Sequence, residues 1–219
     1  MDNWKYPMNK KRKLSKNTTE SKEEDSFRLN GALKEGNIFS TDNHIYLYSE
    51  ITKKNMYELN KEIRNVSQKL LDLKRKYNTP PPIIYLHINS YGGSIFASMA
   101  AIDTILDCPV DIHTIVEGCA ASAATLISVV GKKRYIRRHA HMLIHQLSTV
   151  FWGKMAEFED EMDNLNRLME LIKGIYKEHS KVPTRKLDEV LKHDLWWDAD
   201  YCLENSLVDE IVDKTTFDT

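Results

Sequence analysis

Ser122 stands at the end of the small-residue run Gly118-Cys119-Ala120-Ala121-Ser122, where an apolar segment turns toward helix-forming residues. A serine so placed lies beside unpaired helical N–H groups, and its small neighbours let another backbone approach. It can attack a carbonyl, or it can simply cap the helix. The pair Gly92-Gly93 follows a strand end in the same manner, where glycines expose backbone N–H groups beyond the sheet's carboxyl edge. A phosphate loop would use the same geometry, but neither G-x-G-x-x-G nor G-K-[ST] is present, so a donor for an oxyanion fits better. His145 ends the apolar run Met142-Leu143-Ile144, which sets an imidazole at a strand's mouth, either as a base or as a satisfied core histidine. His139, His141 and His145 lack a cysteine or carboxylate partner at ligand spacing, and no H-E-x-x-H occurs, so the expectation is no metal and no cofactor.

Such groups need elements to position them. Ile45-Tyr46-Leu47-Tyr48 reads as a strand, and Met56, Leu59, Ile63, Val66 and Leu70 recur at helical spacing. Thr79-Pro80-Pro81-Pro82 forbids further helix before a second strand, Ile83 to Ile88, whose nearly continuous apolar run predicts a central, parallel position. A turn at residues 89–94 leads to a helix carrying Phe96, Met99, Ile102 and Ile105. A third strand, Val110 to Val116, feeds Ser122 and a short helix through Val130, and short strands follow at Arg134 to Arg138 and Met142 to His145. The alternation predicts an α/β layered fold. Met155, Phe158, Met162, Leu165, Met169, Ile172 and Tyr176 then alternate steps of three and four, predicting a long amphipathic helix over 154–180. Leu168, Leu171 and Ile175 widen the stripe beyond one contact face, so the helix is expected to meet another subunit as well as its own core. Val182-Pro183 stops it, and a final helix and a short strand at Leu207 to Val212 close the fold.

Residues 1–38 carry Lys10-Lys11-Arg12-Lys13 and Glu23-Glu24-Asp25 with little apolar surface, which predicts a flexible charged arm ahead of one domain over 39–219. The basic cluster reads as a solvated tail rather than a nucleic-acid contact. The net charge of -1 over 219 residues implies no global pull toward nucleic acid or membrane. No apolar run approaches the length that spans a bilayer, and the N-terminus lacks the apolar core of a secretory signal. Cys108, Cys119 and Cys202 are odd in number and set among apolar neighbours, favouring buried free thiols in a reducing compartment. A cytoplasmic location, or an organelle stroma or matrix, is expected.

Together these segments resemble the ClpP family of serine peptidases. Its I-N-S-P-G-G-S turn stands here as Ile88-Asn89-Ser90-Tyr91-Gly92-Gly93-Ser94, its G-x-A-A-S motif as Gly118 to Ser122, and its M-I-H-Q motif as Leu143-Ile144-His145-Gln146. The family's acid maps to Asp194 in His193-Asp194-Leu195-Trp196-Trp197, ahead of Leu207-Val208-Asp209. The resemblance implies a ClpP/crotonase-like layered β-α superhelix with a long handle helix. It also implies a Ser122-His145-Asp194 triad and an oxyanion hole from the Gly93 and Ala123 N–H groups. Substrate would pair as an added strand with Ser94-Ile95-Phe96 and Gln146-Leu147-Ser148. It further implies stacked homo-oligomeric rings and feeding by an AAA+ ATPase unfoldase. A capsid-maturation peptidase of phage or virus and a non-catalytic ring subunit are the alternatives. The sequence departs from the family at Tyr91 and Leu147, where proline is usual, at His193, where arginine is common, and over Ser148 to Gly153, which replaces a glycine-rich strand. The basic arm also differs from the family's apolar axial loops.

Overall fold

The structure, a computed structural model, describes residues 37–212. The arm expected over 1–38 lies outside them apart from its last two residues, which already belong to a strand. Among the described residues eight strands form one sheet: β1 (Asn37–Thr41), β2 (His44–Tyr48), β3 (Ile83–Ser90), β4 (Asp111–Ala121), β5 (Lys133–Arg137), β6 (His141–Leu143), β7 (Trp196–Trp197) and β8 (Glu210–Val212). The path runs β1-β2-β3-β4-β5-β8, parallel throughout except for the β1-β2 hairpin. The described helices are α1 (Lys53–Tyr77), α2 (Ile95–Leu106), α3 (Ala123–Val129), α4 (Met155–His179), α5 (Thr184–Val190) and α6 (Ala199–Glu204).

Local chemistry accounts for the boundaries. The Thr52 hydroxyl accepts the Asn55 N–H at 3.1 Å to open α1, and Asn78, in the left-handed region at φ 50°, closes it ahead of the three prolines. Most of the predicted stripe is buried: Met56, Leu59, Ile63 and Val66 are within 2% of full burial, while Leu70 is half-buried. Every residue of α3, Thr125 and Ser128 included, is buried. Among the described residues no helix is long and apolar enough to cross a membrane.

β4 departs from expectation. Rather than stopping near Val116 it runs on to Ala121, because it bends at Gly118 (φ +74°). The register with β3 shifts there, from Ile88 opposite Val116 to Ser90 opposite Ala120. A Cβ on residue 118 would meet the Asn89 side chain at 3.1 Å. This bulge lets one strand serve two neighbours, with His113 to Val116 on β5 and Cys119 to Ala121 on β6. The strand expected to reach His145 ends at Leu143 instead, paired antiparallel to β7.

β3 is central, as predicted, but only one of its faces is aliphatic. The other carries Tyr85 and His87 in a ladder of rings that includes Tyr46 stacked on His87 and Tyr85 edge-on to His113. At its centre is Glu117, whose Oε1 lies 3.0 Å from His87 Nδ1 and 3.1 Å from Arg137 Nε, and whose Oε2 accepts from the Tyr48 hydroxyl. Burial pushes the Glu117 carboxyl up, yet the donors from His87, Tyr48 and Arg137 outweigh burial and hold it down at about 2.

Of the long helix's stripe, only Ile172 and Tyr176 are buried, while Leu165, Leu168, Met169 and Ile175 are half-buried. Met155, Phe158, Met162 and Leu171 are exposed. All three cysteines are free, with Cys119 and Cys202 buried and Cys108 half-buried.

Candidate active site

Ser122 is the hinge between β4 and α3, at φ 55° and ψ -127°. A non-glycine residue there stores of order 1–3 kcal/mol, held by the surrounding packing. The capping reading of this serine is not met, since its side chain makes no cap hydrogen bond. Its backbone is instead fastened by the Ser122 N–H to the Leu143 carbonyl at 2.9 Å.

Gly92 and Gly93, both at positive φ, form the facing loop. A Cβ on residue 92 would fall 2.5 Å from the Ala121 carbonyl oxygen and 2.8 Å from Ser122 Cβ, so only glycine lets this loop lie against the serine. The loop is pinned from behind by Ile51, whose N–H donates to the Gly92 carbonyl at 2.8 Å and whose carbonyl accepts the Ser94 N–H at 2.7 Å.

His145 reaches the same place from two residues beyond β6. Its Nδ1 lies 3.2 Å from Asp194 Oδ1; the imidazole is 22% exposed and the carboxylate 78%. Asp194 sits in the turn between α5 and β7, and β7 pairs with the strand that precedes His145.

A cavity of about 290 Å³ gathers most of the expected site residues: Gly93, Ser94, Ile95, Ser122, Ala123, His145, Gln146, Leu147 and Ser148 all line it. Asp194 is outside the cavity wall and touches it through His145. Phe96 is not brought there. It is 75% exposed and lines a different groove, because one residue of helix rotates it about 100° from Ile95. The loop beyond His145 is also partly committed to its own chain, with the Gln146 N–H on the Leu191 carbonyl at 2.7 Å and the Leu147 N–H on Met169 Sδ at 3.4 Å. At these two positions carbonyls and side chains, rather than amides, are left for a ligand. Ser148 to Gly153 forms no strand, and Val150 and Trp152 are fully exposed.

Three further residues complete the wall, Leu126, Ile172 and Tyr176. The Tyr176 hydroxyl is 2.5 Å from Thr125 Oγ1, and burial raises its pKa, keeping it neutral. The signal for Ile172 and Tyr176 in the sequence was apolar periodicity, which marks a buried face without saying that the face ends at a cavity, and Leu126 was signalled only as part of the short helix after Ser122. A larger cavity, about 660 Å³, lies between α1 and α2 and holds none of the expected residues. Among the described residues no cluster of histidine, cysteine, aspartate or glutamate could hold a metal ion. The arrangement assembles a hydroxyl, an imidazole fixed at one nitrogen by a carboxylate, and backbone of two chain segments around one small space.

The Clp protease family model matches residues 34–215. The ATP-dependent Clp protease proteolytic subunit 3 of Streptomyces coelicolor is 33% identical over 135 residues, which is 61% of this chain and 62% of that protein. The ATP-dependent Clp protease proteolytic subunit of Triticum aestivum is 33% identical over 138 residues, 60% of this chain and 64% of the relative. The similarity thus spans a little under two thirds of these relatives' length. Among solved structures, a ClpP1 mutant from Listeria monocytogenes superposes with a TM-score of 0.69 at 20% identity, covering 80% of this chain and 93% of that one. At such identity the likeness speaks to the fold.

Proposed function

The chain belongs to the Clp protease family, and from that premise we propose that it is a serine endopeptidase with Ser122 as nucleophile, His145 as base and Asp194 as the group that orients the imidazole. The observation that carries this reading is the meeting of Ser122 and His145 in one cavity, with His145 Nδ1 held 3.2 Å from Asp194.

With Nδ1 engaged, Nε2 is the nitrogen free to take the Ser122 proton as Oγ bonds to the scissile carbonyl carbon. The carbonyl's electron pair moves onto oxygen, where the Gly93 and Ala123 N–H groups receive it, each contributing about 3 kcal/mol in the transition state. Asp194 stabilises the imidazolium, which gives its proton to the leaving nitrogen as the C–N bond breaks. Water then repeats the sequence: His145 takes its proton, the ester to Oγ breaks, and the Ser122 hydroxyl is restored. Ser94, Ile95, Gln146, Leu147 and Ser148 would flank the bound chain.

The substrates proposed are peptides or unfolded proteins, cut inside the chamber of a homo-oligomeric ring that an AAA+ ATPase feeds. Support for assembly comes from the exposed part of α4, where Met155, Phe158 and Met162 stand in water. Fully covering side chains of this kind is worth about 1.5–3 kcal/mol each. The free cysteines fit a reducing compartment, the cytoplasm or an organelle stroma or matrix.

Mass spectrometry after treatment with a fluorophosphonate probe tests the chemistry. Modification of Ser122, with hydrolysis lost in Ser122→Ala, is expected. An unlabelled Ser122 in folded, assembled protein would favour a non-catalytic ring subunit.

A further inference from the structure

Resting on the peptidase reading above, we infer that the groove between the N-terminal ends of α1 and α2 is a second substrate pocket, taking an aromatic side chain two or three residues from the scissile bond. The groove encloses about 460 Å³ and is largely apolar, walled by Met56 and Tyr57 of α1 and by Phe96, Ala97 and Ala100 of α2, with Ser94 at the helix start. Tyr57 is 70% and Phe96 75% exposed, two large rings standing in water at the edge of an apolar hollow. A cluster of that kind marks a binding surface more often than a single exposed ring does.

Its place in the fold says what it binds. α1 follows β2 and α2 follows β3, so both helix starts lie at the carboxyl edge of the parallel sheet, the edge at which Ser122 ends β4. The three strands are neighbours, and the groove is therefore one strand over from the catalytic cavity. Ser94 belongs to the walls of both. Parallel strands lie about 4.8 Å apart and an extended chain advances about 3.3 Å per residue. A peptide crossing the strand ends from Ser122 thus reaches the groove in two or three residues. Within the first turn of α2, Ile95 faces the cavity and Phe96 the groove, so one helix start presents consecutive side chains to two pockets. A shared wall at this spacing fits one continuous ligand, the substrate chain itself.

Fluorescence anisotropy on the full chain carrying Ser122→Ala, with peptides in which phenylalanine is moved along an otherwise serine- and alanine-rich sequence, tests the pocket without requiring turnover. One phenylalanine register is expected to bind about tenfold tighter than alanine. Ala100→Trp, which fills the groove from an exposed helix position, and Phe96→Ala, which removes a wall, should each abolish that preference with the thermal transition unchanged. Retention of the preference in both folded variants, or no preference in any register, overturns the pocket. So does a groove variant that alters only sedimentation, since the groove would then be a contact between copies. Probe labelling of the unmodified chain is read separately. Groove-dependent binding without labelling at Ser122 sinks the peptidase reading and leaves a peptide-binding pocket, whereas labelling without any groove effect sinks the pocket alone.

Discussion

The Ser122 N–H donates to the Leu143 carbonyl at 2.9 Å, tying the residue at the end of β4 to the last residue of the strand that delivers His145. This bond extends the β4–β6 ladder by one step past Ala121 and holds Ser122 in its positive-φ conformation. Glycine enters that region without steric cost. Ser122→Gly should therefore raise unfolding stability by about 1 kcal/mol while peptide hydrolysis falls to background, and Ser122→Ala should lose activity, by up to about a millionfold, without the stabilisation. Paired melting and peptidase assays check this; a Ser122→Gly protein less stable than Ser122→Ala contradicts the strain.

Gly92→Ala places a methyl 2.5 Å from the Ala121 carbonyl oxygen. The neighbour is backbone, so the loop must move, and labelling of Ser122 by a fluorophosphonate is expected to drop by at least tenfold with a lowered melting temperature. Gly174→Ala is the matched control. A Cβ there meets nothing within 4 Å in the C-terminal third of α4, so about 1 kcal/mol of added stability is expected from helix propensity.

Asp194→Asn leaves the fold intact, because the side chain is 78% exposed, yet it presents the wrong group to His145 Nδ1. A fall of about 10⁴ in kcat with little change in KM is expected, as for an imidazole held in the unproductive tautomer. Steady-state kinetics with unchanged circular dichroism would check it, and a loss confined to KM would contradict the orienting role.

Glu117 makes stability pH dependent. Its folded-state pKa, about 2, is depressed from the ordinary 4.5, so the stabilisation is present above 4.5 and is lost as pH falls toward 2. The full difference corresponds to at most about 3 kcal/mol. Glu117→Gln should be less stable at neutral pH and show a flatter acid limb between pH 4.5 and 2 in urea titrations. A limb parallel to that of the unmodified protein would contradict the assignment.

Phe158→Glu with Met162→Glu changes two exposed positions of α4, so a single chain should keep its fold. If this surface is covered in an oligomer, the double variant should sediment near the 25.5 kDa of one chain at concentrations where the unmodified protein assembles. Equal sedimentation of the two proteins would remove α4 from the interface.

What could be read along the chain was whatever a short window decides. The α1 stripe from Met56 to Val66, the proline stop before β3, the strand-to-helix turn at Ser122 and the extent of α4 rest on periodicity, capping and forbidden dihedrals, each local in sequence. The proximity of Ser122, Gly93 and His145 entered through motif resemblance, since spacing along the chain carries no distance through space. Only the tertiary structure decided that Gly118 bends β4 into two ladders, because a bulge depends on which strand lies opposite. It alone turned Phe96 away from Ile95 into a second groove, and made Glu117 a shared acceptor for His87, Tyr48 and Arg137. The same holds for α4. Its apolar repeat announced a face to be covered, but the chain's own core reaches only as far as the half around Ile172 and Tyr176, and the extent of that cover is set by the short helices it packs on, α3 and α5, rather than by its own sequence.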